Sequence, residues 1–140
     1  MFRATTFVGY IGCLTACKPH AFAVSINFRS CCAPQEGWKG VAREVCSSVW
    51  AGMCGSMAAS LLVRRVLERD ESFAAAVASL TSARLISPTF ITVTGVRRGE
   101  GVCLTLDRKP APKRGPQDMW LRNGPIVQVR LRQCCEAGGE

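Results

Sequence analysis

At 140 residues the chain is the size of one domain, and a hydrophobic content of 48% argues against wholesale disorder. Its net charge of +8, spread evenly along the chain, points to anionic partners such as nucleic acid or lipid headgroups without choosing between them. Nine cysteines are present with no Cys-X-X-Cys pair, which argues against a zinc ribbon and a thioredoxin-type redox site, and the odd count fits a disulfide framework poorly.

Residues 1–35 contain no acid, and Arg3, Lys18 and Arg29 stand among Thr, Ser, Phe and Ala. That composition reads as a mitochondrial transit peptide. A secretory signal competes with it: Met1 to Thr6 as the n-region, Phe7 to Cys17 as the apolar region and Ala21-Phe22-Ala23 as the cleavage site. Lys18, Pro19 and His20 interrupt that path, and no Asn-X-Ser/Thr sequon follows. A plainer reading is an N-terminal strand, since Ala21 to Phe28 alternates with period two. Cys13, Cys17, His20, Cys31 and Cys32 bring thiolates and an imidazole into one segment. Their spacing matches no common zinc finger, so no metal ligands are assigned.

Pro34 to Gly40 is a turn-rich break, and helical periodicity starts near Val41. The uncharged run Val45 to Val63 lies between Arg43-Glu44 and Arg64-Arg65. As a helix it spans roughly 28 Å at ~1.5 Å per residue, close to the ~30 Å hydrocarbon core of a bilayer. Residues 45–63 are therefore a candidate transmembrane span, although the serines and glycines make insertion marginal. Ser48, Gly52, Ser56 and Ser60 recur at i+4, and such a small-residue face lets another helix approach closely. The alternative is a buried helix in a water-soluble core.

Arg64 to Glu71 is a mixed-charge segment. Ser72 to Leu85 reads as a second, alanine-rich helix with Phe73, Val77 and Leu80 on one face, ended by Ser87-Pro88. Thr89 to Thr94 and Val102 to Asp107 are rich in β-branched residues, and the turn from Gly95 to Gly101 makes them a hairpin. Arg108 to Asp118 is a basic, proline-rich loop. Ile126 to Arg132 alternates as a further strand.

The expected fold class is α+β: a long central helical region, about residues 41–85 with one candidate transmembrane span, followed by a small antiparallel β-sheet. The expected organisation is a targeting-like segment 1–35, the helical region 41–85 and a β region 89–133 containing the basic loop 108–118. With His20 the one histidine, no nucleophile–base constellation is legible, so no catalytic residue, cofactor or small-molecule substrate is assigned. The expected role is a non-enzymatic, membrane-associated accessory protein, mitochondrial rather than secretory, that packs on a protein partner through Ser48, Gly52, Ser56 and Ser60. One alternative is a soluble basic module binding RNA through Arg97, Arg98, Lys113 and Arg114, with Trp120 to stack on a base. Another is a young open reading frame with a poorly folded product.

Overall fold

The computed structural model describes residues 1–28, 37–108 and 119–120. Six strands follow one another across a single antiparallel sheet in chain order: β1 (Arg3–Thr5), β2 (Thr15–Lys18), β3 (Phe22–Phe28), β4 (Thr89–Gly95), β5 (Gly101–Leu106) and β6 (Met119–Trp120). Three helices, α1 (Gly37–Met53), α2 (Ala59–Arg69) and α3 (Phe73–Ser82), leave the sheet after β3 and return to it at β4. β3 and β4 are nevertheless neighbours, paired from Phe22↔Gly95 to Phe28↔Thr89.

This arrangement corrects the expected fold. The sheet does not follow the helices; half of its strands precede them, in the segment read as a targeting sequence. Phe22 and Val24 of β3 and Ala16 of β2 are buried in the core. Removing residues 1–35 as a mitochondrial leader would strip those side chains from the sheet, so that reading is overturned. The period-two alternation of 21–28 carried the correct local structure.

The long helical region is also corrected. Helix α1 stops at Met53, and α2 starts afresh at Ala59. Gly55 is the reason. Its φ of 81° is left-handed, a conformation that glycine adopts without a Cβ penalty. The Gly55 N–H bonds to the Gly52 carbonyl at 3.1 Å, and the Ser56 N–H bonds to the Ala51 carbonyl at 3.0 Å. That pair of bonds is a Schellman cap, which satisfies the orphan carbonyls at a helix end. The candidate span 45–63 is thereby cut in two, and no described helix is long and apolar enough to cross a membrane. Met57 then ties the break to the segment after α3, bonding through its N–H to Arg84 O (2.9 Å) and through its carbonyl to Ile86 N (3.1 Å).

One face of the sheet is covered by α2 and α3. Strand alternation presents Val24 and Ile26 on β3, Ile91 and Val93 on β4, and Val102 and Leu104 on β5 to that face. The register aligns Val24, Val93 and Val102 in one row, and Ile26, Ile91 and Leu104 in the next. Leu62, Val63, Val66 and Leu67 of α2 and Phe73, Ala76, Val77 and Leu80 of α3 bury helical stripes against these rows. Ser72 caps α3, its side chain accepting the Ala75 N–H at 3.2 Å. Helix α1 behaves differently: Trp38, Val41, Val45, Val49, Trp50 and Met53 are exposed along it.

Candidate functional site on the open face of the sheet

The residues between the core positions face the other way. From β1 to β4 that open face carries Arg3 and Thr5, Thr15 and Cys17, Ala23 and Ser25, then Thr92 and Thr94. Register places Arg3 beside Cys17, Thr5 beside Thr15, Thr15 beside Ser25, and Ser25 beside Thr92. Because these side chains are short, the strands form the floor of an open cleft of about 430 Å³. That volume falls in the range of about 300–1,000 Å³ usual for small-molecule sites.

The floor is a mixture of methyl groups and hydroxyls. Thr15 Oγ1 and Ser25 Oγ lie 3.3 Å apart and share a hydrogen bond across β2 and β3. Thr92 Oγ1 donates to Cys103 Sγ at 3.8 Å, anchoring the β4 side to β5. Arg3 supplies the cleft's one cation and Cys17 its one thiol, among the described residues. Such a surface fits an elongated apolar chain with a few polar atoms: threonine methyls take the hydrocarbon, and hydroxyls take an amide or hydroxyl group.

Cys17 and Cys13, both weighed above as metal ligands, have opposite surroundings. Cys17 is exposed and lines the cleft, whereas Cys13 is buried in the core beneath α2. Burial pushes the Cys13 thiol pKa up; the charge of Arg64 opposes that rise and that of Glu68 adds to it. Its backbone N–H reaches the Ser60 carbonyl at 3.0 Å, so Cys13 is a packing residue. His20 sits on the β2–β3 turn with a φ of 63°, exposed to solvent. The structure therefore does not gather Cys13, Cys17 and His20, and Cys31 and Cys32 lie outside the described residues. Among the described residues no group of three His, Cys, Asp or Glu side chains is placed to hold a metal ion.

The candidate helix-packing residues are divided as well. Ser48 and Gly52 lie on α1, Ser56 in the break and Ser60 in the first turn of α2. The smallness of Ser60 has a local cause: the loop between β1 and β2 lands on it. Tyr10 donates its hydroxyl hydrogen to Ser60 Oγ at 2.6 Å, and Arg64 Nη1 reaches Ile11 O at 2.8 Å. Arg97 and Arg98 are exposed on the β4–β5 turn, where Arg97 N donates to Glu100 Oε2 at 3.1 Å. Lys113 and Arg114, and the strand expected at 126–132, lie outside the described residues. The cleft side chains Thr15, Ser25, Thr92 and Thr94 were not singled out from sequence, and Cys17 was weighed there only as a possible zinc ligand. Their signal was the small-polar half of the β alternation, visible once 15–28 is read as two strands.

No protein-family model matches the chain. Its sequence is instead similar to those of acid amidases and acid ceramidases, and a solved structure that it resembles is also of an acid amidase. It is 34% identical over 125 residues to the N-acylethanolamine-hydrolyzing acid amidase of Rattus norvegicus, covering 86% of this chain and 29% of the relative. It is 34% identical over 109 residues to the acid ceramidase of Bos taurus, covering 78% of this chain and 26% of that relative. The solved structure of the Caenorhabditis elegans N-acylethanolamine-hydrolyzing acid amidase ortholog superposes with a TM-score of 0.64 at 27% identity, covering 76% of this chain and 42% of that one. The chain thus spans under a third of the length of these curated relatives.

These similarities overturn the remaining functional expectations. The relatives are enzymes, so the reading as a non-enzymatic accessory or interaction protein falls. They are named for small lipid amides, so the emphasis on a protein partner, or on RNA, in place of a small-molecule substrate falls with it. They are acid hydrolases by name, and no described helix spans a membrane, so a mitochondrial-membrane location has no support. The reading as a poorly folded product fails too, because similarity at this level extends over both sheet and helices.

Proposed function

We propose that this chain supplies the substrate-binding sheet of a hydrolase that cleaves the amide bond of N-acylated lipids. The observation that carries the reading is the open cleft of small hydroxyl-bearing side chains, on a sheet similar in sequence and fold to N-acylethanolamine- and ceramide-hydrolysing enzymes. In the reaction, water adds across the amide: its oxygen bonds to the acyl carbon, the C–N bond breaks, and a proton goes to the leaving nitrogen. The cleft's contribution is binding. Methyls of Thr15, Thr92 and Ala23 line the acyl chain, and the hydroxyls of Ser25 and Thr94 orient the amide end. Each methylene buried there is worth about 0.8 kcal/mol. The role given to the cleft is binding, and bond cleavage is assigned to groups outside it.

The test is fatty-acid release from an N-acylethanolamine and from a ceramide, from acidic to neutral pH, with binding of a fluorescent acyl analogue followed in parallel. Saturable binding with release favouring acidic pH is expected, and filling the floor with Ser25→Leu and Thr92→Leu should raise KM or Kd at least about tenfold. Absence of both binding and release overturns the hydrolase reading. Binding that is indifferent to the leucine variants removes the cleft from it.

A further inference from the structure

We draw no further inference here: the strongest candidate, the exposed apolar face of α1 formed by Trp38, Val41, Val45, Val49, Trp50 and Met53, carries none because nothing in the structure shows what covers it.

Discussion

Gly12 offers a sharp test of how the β1–β2 loop is seated on α2. A Cβ built there would lie 2.5 Å from Ser60 Oγ, 2.6 Å from Ser60 Cβ and 2.9 Å from the Tyr10 ring. The hydroxyl can rotate away, at the loss of its 2.6 Å bond from Tyr10, which is worth about 1 kcal/mol. Ser60 Cβ cannot rotate away, because it is fixed to the first turn of α2. Either the helix or the loop must shift, and the loop is held by Cys13 N to Ser60 O at 3.0 Å and Arg64 Nη1 to Ile11 O at 2.8 Å. Overpacking of this kind costs about 1–3 kcal/mol, so with the lost bond Gly12→Ala should lose roughly 2–4 kcal/mol in all. At this chain length that is a fall in Tm of about 7–14 °C. Urea denaturation followed by far-UV circular dichroism reads it directly. Ser60→Gly in the same chain should recover part of the loss, giving a coupling of about 1 kcal/mol in a double-mutant cycle. A Gly12→Ala variant within about 0.5 kcal/mol of the parent would refute the seating of the loop.

Other regions give quicker checks. Leu80 is 0% exposed in α3, so Leu80→Ala should cost about 2–5 kcal/mol in the same denaturation assay; a loss under about 1 kcal/mol would contradict the helix-on-sheet packing. Ser72→Ala removes the cap of α3 and should cost about 0.5–2 kcal/mol, with Ser72→Asp restoring it. Burial raises the Cys13 pKa above the ordinary thiol value, so the folded state holds that proton longer than the unfolded chain. Its stabilising contribution is complete below the unfolded thiol pKa and is lost as pH rises through the folded one. Cys13→Ala should flatten the alkaline limb of the stability curve, and an unchanged limb would argue against a buried thiol there. Trp38 and Trp50 are 76% and 69% exposed on α1 beside Lys39 and Arg43. Their fluorescence should be quenched more by iodide than by caesium; emission insensitive to both ions would mean that α1 is covered.

Local pattern carried the local elements and failed at their assembly, for reasons visible in single residues. Phe73, Val77 and Leu80 marked α3, and the β-branched runs about Gly95 to Gly101 marked the β4–β5 hairpin, because each stripe is buried on one face only. Gly55 was harder. In a run of Gly, Ser and Ala the same residue reads as a close-packing helix position or as a left-handed cap, and only the bonds from Ser56 N to Ala51 O and Gly55 N to Gly52 O decide between them. Once the cap is missed, two helices fuse into one apparent span, and the small residues acquire a spurious common face. Ser60 shows the cost: its size answers to Gly12 and Tyr10, some fifty residues earlier. The open cleft was illegible for a related reason. Thr92 is separated from Thr15 and Ser25 by the whole helical excursion, and their composition is that of any solvated strand face. What makes them a site is adjacency across β2, β3 and β4, a property of register, not of any one segment. Threonine, serine and alanine line the cleft floor, and such a composition leaves no spacing rule to read.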